Sequence, residues 1–207
     1  MKNNLNYNLY LVTDRDVLID CDIFSGVEQA LKGGVTLVQL REKCLGSLEF
    51  YNIAVKIKTI TDKYNVPLII NDRIDIALAI DAAGVHLGQS DMPVDIARNI
   101  IGNNKILGVS TSTLKQAQKA ERQGADYVGV GAMFETTTKG DAKAVSVIVL
   151  KEIKNNISIP VVAIGGITQK NVELLKIANI DGIAVVSDIL GKKYIKEAAE
   201  ELLSHMK

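Results

Sequence analysis

Three polar side chains, Gln39, Arg41 and Lys43, stand two positions apart where the apolar run VTLVQL passes into REK. Alternation along an extended chain puts all three on one face. Two cations and an amide sharing a face suit a phosphate or a diphosphate. Two carboxylates, Asp72 in NDR and Asp91 in GQSD, follow later apolar runs. Magnesium is typically held by one or two carboxylates together with water and substrate phosphate oxygens, so an aspartate pair beside a cationic wall fits a magnesium diphosphate. Farther along, GGI at 165–167 and VVS ending at Ser187 offer turns whose backbone amides suit a second anion. Each feature also has a plainer reading. Asp72 could cap the helix RIDIALAI, Asp91 could serve the turn before Met92 and Pro93, REK could be a solvated loop, and Gly165 with Gly166 could be only a tight turn. His86, inside GVHLG, reads as a packed or hydrogen-bonded core histidine rather than a base, and His205 as a solvated residue.

Bringing these groups to one surface requires a fold that gathers the ends of many strands. The β-rich runs LYLVT, VTLVQL, VPLII, GVHLG, KILGVS, YVGVG, IPVVAI and GIAVV make eight candidate strands. Helical periodicity lies between them, most clearly where Phe50, Ile53, Ile57, Ile60 and Tyr64 recur at spacings of three and four. Strands that are apolar throughout and separated by helices imply a parallel sheet buried on both faces. The runs also alternate in type. Odd strands follow asparagine-containing lead-ins (NYNLYLV, YNVPLII, NNKILGV, NNISIPVV), whereas even strands follow small or acidic turns (KGGVTLV, AAGVHLG, GADYVGV, NIDGIAV) in which glycine suits a helix C-cap. Four copies of a two-strand unit with right-handed crossovers close into an eight-stranded parallel β/α (TIM) barrel, and a doubly wound open sheet would not explain the fourfold alternation. At 207 residues one domain is expected, spanning 1–207. Such barrels carry their sites on the loops after the strands. Those loops hold Asp14, as a mouth residue or a turn cap, then QLREK, Asn71 and Asp72, Asp91, Ser110, the cluster Thr136, Thr138 and Lys139, Gly166, and Val186 with Ser187.

Composition narrows the partners. Lys plus Arg total 24 and Asp plus Glu total 24, so no basic excess points to nucleic acid and no polybasic block to a membrane surface. Only Cys21 and Cys44 are present, which fits a reducing compartment and free thiols. With no signal-like N-terminus and no apolar run of membrane-spanning length, a soluble cytoplasmic enzyme acting on small molecules is expected. Whether copies assemble into a homo-oligomer is open.

The signatures LVTDR, VQLREK, INDRIDIALAIDAAGVHLGQSDMP, ILGVS, GADYVGVGAMFETTTK, VVAIGGI and GIAVVS, in that order, resemble the thiamine phosphate synthase family over essentially the whole chain. The resemblance implies a transferase on a β/α barrel that joins hydroxymethylpyrimidine diphosphate to hydroxyethylthiazole phosphate, with magnesium. It implies that Gln39, Arg41, Lys43, Asn71, Ser110 and Lys139 bind the pyrimidine diphosphate, and that Arg41, Lys43 and Lys139 act catalytically on the leaving group. Asp72 and Asp91 would bind Mg2+, and Thr136, Thr138, Gly166, Val186 and Ser187 the thiazole phosphate. Two departures are visible. Ala132 and Glu135 in GAMFETTTK stand where the family usually has proline, and Ser112 stands where many relatives, the thiazole tautomerases among them, have histidine. That tautomerase activity, a phosphate-binding barrel isomerase, and a barrel that binds thiamine intermediates without turnover are the rival expectations. QLREK, the paired aspartates and Lys139 weigh against them, and serine at 112 is a poor proton shuttle near neutral pH.

Overall fold

The computed structural model describes residues 5–136 and 144–206. Eight short strands follow one another: β1 (Leu9–Val12), β2 (Leu37–Leu40), β3 (Leu68–Asn71), β4 (Gly84–Leu87), β5 (Ile106–Thr111), β6 (Tyr127–Val130), β7 (Val161–Ile164) and β8 (Gly182–Val185). They close, all parallel and in sequential order, into the barrel that the alternating runs predict, with β8 paired to β1. Helices intervene: α1 (Ile23–Lys32), α2 (Ser47–Lys63), α3 (Ile74–Ala79), α4 (Val94–Ile101), α5 (Leu114–Arg122), α6 (Val147–Asn156), α7 (Ser187–Leu190) and α8 (Ile195–Ser204). Between β7 and β8 the crossover is a 3₁₀ helix, Val172–Ala178.

Strand alternation sorts the apolar residues into two cores. Tyr10, Val12, Leu37, Ile69, Ile106, Tyr127, Val162 and Ala184 fill the barrel interior. Leu9, Leu11, Val38, Leu40, Leu68 and Ile70 turn outward onto the helices. Both faces of every strand are thus covered, which is why the strands read as apolar runs rather than as alternating patterns. The stripe of α2 behaves as its spacing predicts: Phe50 and Ile57 are fully buried and Ile53, Ile60 and Tyr64 pack at the edge of the same core.

The turns before the even strands differ in one detail from expectation. Gly34 and Gly124 take the left-handed backbone (φ 92° and 93°), but in AAGVHLG and NIDGIAV that role falls to Asp81 (φ 53°) and Asn179 (φ 50°). Gly84 and Gly182 instead open β4 and β8. Short polar side chains tolerate this conformation, so the same turn is built with different residues.

Candidate active site

A cavity of about 890 Å³ opens at the C-terminal ends of the strands. Gln39, Arg41, Lys43, Asn71, Asp72, Asp91, Ser110, Thr136, Gly166, Val186 and Ser187 all line it, so residues far apart in sequence meet on one surface. Thr138 and Lys139 lie outside the described residues.

The cationic side is built as alternation predicts, although β2 itself ends at Leu40. Pairing with β1 runs on past that point, through the Thr13 amide to the Gln39 carbonyl (2.9 Å) and the Arg41 amide to Thr13 Oγ1 (3.0 Å). The chain therefore stays extended long enough to turn Arg41 and Lys43 into the mouth. Glu42, between them, pairs with Arg15 Nε at 3.0 Å and lines no part of the cavity. Asp14 caps its turn, its Oδ1 accepting from the Asp16 amide; it does not line the cavity, but its Oδ2 lies 3.4 Å from Arg41 Nη1.

Beside this wall the two aspartates converge. Asp72 holds a left-handed backbone (φ 61°), and Lys43 Nζ donates to its Oδ2 at 2.5 Å. It does not cap α3, whose N-cap position is Arg73 with no side-chain cap bond. Asp91 does serve its turn, accepting from the Gly88 amide at 2.6 Å, while also facing the cavity. Burial, and then the Asp72 carboxyl hydrogen-bonded against it, push the Asp91 carboxyl above its ordinary pKa, with the Gly88 amide and Lys43 opposing the rise. Two carboxyl groups facing one cavity this way are a donor set that a divalent cation would relieve. No cluster of three or more His, Cys, Asp or Glu suited to a metal occurs among the described residues. Remaining ligands would thus come from water and substrate oxygens, as magnesium commonly accepts.

Across the mouth, Gly165 (φ 100°) and Gly166 (φ 64°) turn the chain sharply after β7. The Gly166 carbonyl is held by Asn171 Nδ2 at 2.9 Å, and Asn171 Oδ1 accepts from the Thr168 amide at 2.8 Å. The amides of Gly166 and Ile167 meet no acceptor among the described residues and border the cavity, as an anion site requires. Ala132 and Glu135 lie in the described part of the loop after β6. Backbone bonds from Met133 to Ile164 (3.0 Å), Phe134 to Gly165 (3.0 Å) and Val145 to Ala132 (2.8 Å) hold it to its neighbours without proline. Ser187 opens α7, which is only four residues long, so individual amides rather than a helix macrodipole contribute there. Ser112 lines the cavity and donates its hydroxyl to Gln116 Oε1 at 3.0 Å.

Several contributors escaped sequence reasoning. Asp188 is buried, accepts from the Gln169 amide (2.8 Å) and pairs with Lys192 (2.6 Å), tying α7 to the loop after β7. Gln89 Nε2 donates to the Ser110 carbonyl at 2.7 Å. Neither sits in a pattern that identifies its partner. His86 is the hydrogen-bonded core residue that its setting in β4 predicts, and its partners are Tyr127 and Ser110.

The fold and the mouth together define a β/α-barrel enzyme shaped for anionic small molecules. The thiamine monophosphate synthase family model matches residues 9–189, and the chain belongs to that family. It is 61% identical to the thiamine-phosphate synthase of Clostridium tetani over 96% of this chain and 95% of that one. It is 58% identical to the thiamine-phosphate synthase of Methanobrevibacter smithii over 99% and 98%. The structure superimposes on thiamine phosphate pyrophosphorylase from Pyrococcus furiosus with a TM-score of 0.90 at 38% identity, covering 98% and 96% of the two chains.

Proposed function

We propose that the chain is a transferase joining 4-amino-2-methyl-5-hydroxymethylpyrimidine diphosphate to 4-methyl-5-(2-hydroxyethyl)thiazole phosphate, giving thiamine phosphate and diphosphate. The observation that carries this reading is the division of one mouth into Arg41, Lys43, Asp72 and Asp91 on one side and the unengaged Gly166 and Ile167 amides on the other. One side suits a metal diphosphate and the other a second phosphate.

In this reading the bond from the pyrimidine methylene carbon to the diphosphate oxygen breaks first, and the electron pair leaves with the diphosphate. The amino-substituted ring delocalises the positive charge left on carbon, so no protein nucleophile is needed. The thiazole nitrogen lone pair then forms the new carbon–nitrogen bond, and no proton is gained or lost. Arg41, Lys43 and Lys139 stabilise charge that grows on the leaving group, which lowers the barrier rather than only improving binding. Asp72 and Asp91 would hold Mg2+, which when bound neutralises diphosphate charge. Gln39, Asn71 and Ser110 orient the pyrimidine, while Thr136, Thr138, Gly166, Val186 and Ser187 hold the thiazole by its remote phosphate. Fixing both partners at contact distance contributes through proximity, with effective molarities that reach about 10⁵ M or more. The Ser112 hydroxyl, engaged by Gln116, gives no support to the tautomerase alternative.

The test is to combine purified protein with both substrates, with and without magnesium, and assay thiamine phosphate and diphosphate. Magnesium-dependent formation of the two in equal amounts is expected. Absence of both products with folded protein would overturn the proposal.

A further inference from the structure

Inside the barrel, at the cavity floor, where His86 itself borders the cavity, a continuous hydrogen-bonded chain crosses from β2 to β5. Gln39 Nε2 donates to the Tyr10 hydroxyl at 2.8 Å, and the Tyr10 hydroxyl meets the Tyr127 hydroxyl at 2.8 Å. The Tyr127 hydroxyl meets His86 Nδ1 at 2.8 Å, and His86 Nε2 meets Ser110 Oγ at 2.9 Å. Tyr10 and Tyr127 are 1% and 0% exposed. Room for the chain is made deliberately by two glycines: a Cβ on Gly108 would lie 2.1 Å from Tyr127 Cζ, and one on Gly129 would lie 3.3 Å from His86 Cε1. A buried polar network is costly unless every member is satisfied, and apolar residues would fill the same volume at less risk. Both ends of this one reach the cavity.

Hydrogen counting gives the chain a direction. A phenol has one hydrogen, so Tyr10, which accepts from Gln39, must pass its own to Tyr127, and Tyr127 must pass its own to His86 Nδ1. A histidine accepting at Nδ1 carries its hydrogen on Nε2, which then donates to Ser110 Oγ. The Ser110 hydrogen is left for a ligand, and so are the Gln39 carbonyl oxygen and its second amide hydrogen. If the Gln39 amide turns over, every donor in the chain reverses with it. Reversal moves the Ser110 hydrogen from the ligand onto His86 and the Gln39 carbonyl oxygen from the ligand onto Tyr10, so the two ends change together. Burial pushes both phenols well above their ordinary pKa, so both keep their hydrogens and pass hydrogen-bond direction along the chain.

We propose that Tyr10, Tyr127 and His86 are positioning residues that couple Gln39 to Ser110, fixing Gln39 as acceptor and Ser110 as donor, and so select a heteroaromatic edge that pairs an amino group with a ring nitrogen. A lactam edge, with carbonyl and N–H in the opposite order, is disfavoured unless the whole chain reverses. This inference rests on the assignment of Gln39 and Ser110 to the pyrimidine, and it adds the basis on which aminopyrimidine is told from oxopyrimidine.

Two measurements test it. The chain has two histidines, so ¹⁵N NMR of histidine-labelled protein resolves His86 readily. A neutral His86 with its proton on Nε2 is expected at pH 7, and an Nδ1-protonated or doubly protonated ring would overturn the assigned direction. Steady-state kinetics with the aminopyrimidine diphosphate and its 4-oxo counterpart then compare wild type with Tyr127→Phe. The variant should lose at least about tenfold of the kcat/KM preference for the amino substrate, because the site's buried polar groups no longer act together. The KM for thiazole phosphate should move by no more than about twofold, since uniform damage to the barrel would shift both substrates. An unchanged preference would overturn the coupling. If Tyr127→Phe does not fold, Tyr10→Phe breaks the same chain one link earlier and is expected to give the same loss. Should wild type turn over neither substrate, the proposed function fails, while the His86 tautomer still reports on the relay.

Discussion

Lys43→Ala removes the cation closest to the aspartate pair, and its effect can be worked out from the geometry. Lys43 Nζ lies 2.5 Å from Asp72 Oδ2, with about half of its side chain (49%) exposed. Opposite unit charges about 4 Å apart interact by about 4 kcal/mol at an effective dielectric constant near 20. Half exposure reduces that to roughly 2–3 kcal/mol of transition-state stabilisation, about 10²-fold in rate. Charge on the bridging oxygen grows only as the bond breaks, so kcat should carry the loss and the KM for the pyrimidine diphosphate should rise by less than about fivefold. An exposed ion pair is worth at most about 1 kcal/mol, so Tm should fall by no more than about 4 °C. Thiamine phosphate formation at saturating substrates, with thermal unfolding alongside, checks all three expectations. A kcat within about threefold of wild type in a folded variant would refute the role given to Lys43.

Three further outcomes are expected. Gly166→Ala forces a Cβ to within 2.4 Å of the Glu135 carbonyl oxygen at a φ of 64°, and should raise the KM for thiazole phosphate by more than about tenfold while the pyrimidine KM holds, in a two-substrate kinetic comparison. Ser187→Ala, losing one hydrogen bond to a charged phosphate, should raise that same KM by about tenfold at unchanged kcat. The fold raises the Asp91 pKa, so the folded state holds that proton more tightly than the unfolded chain, and metal-free stability should fall as pH rises from the ordinary carboxylate value through the raised one. Asp91→Asn should flatten that stretch of the curve in urea unfolding at several pH values and also abolish the stabilisation that magnesium gives wild type; an unaltered slope would contradict the assignment.

Much of the barrel was legible because each strand is buried on both faces and announces itself as an apolar run, and because strand ends in this architecture gather at one mouth. Alternation put Gln39, Arg41 and Lys43 on one face, the polar ends of the other strands argued that this face is the mouth, and all three line the cavity. The relay was not legible. Tyr10 and Tyr127 look like ordinary core residues, and their hydroxyls meet only because strands separated by 117 positions face each other across the barrel. The partners of Asp14, Gln89 and Asp188 are tertiary in the same sense, since nothing in the local sequence names Arg41, the Ser110 carbonyl or the Gln169 amide. Turn chemistry was only half legible, because Asp81 and Asn179 replace glycine wherever a short polar side chain tolerates the left-handed backbone.

The central claim is that two phosphorylated substrates sit side by side at one rim with their anionic groups on opposite walls. A crystal structure with magnesium, thiazole phosphate and a pyrimidine diphosphate analogue whose bridging oxygen cannot leave addresses it directly. Diphosphate against Arg41 and Lys43, metal on Asp72 and Asp91, and thiazole phosphate on the Gly166 and Ser187 amides are predicted. Thiazole phosphate bound outside this mouth, or both anions competing for the Arg41 and Lys43 wall, would contradict the account.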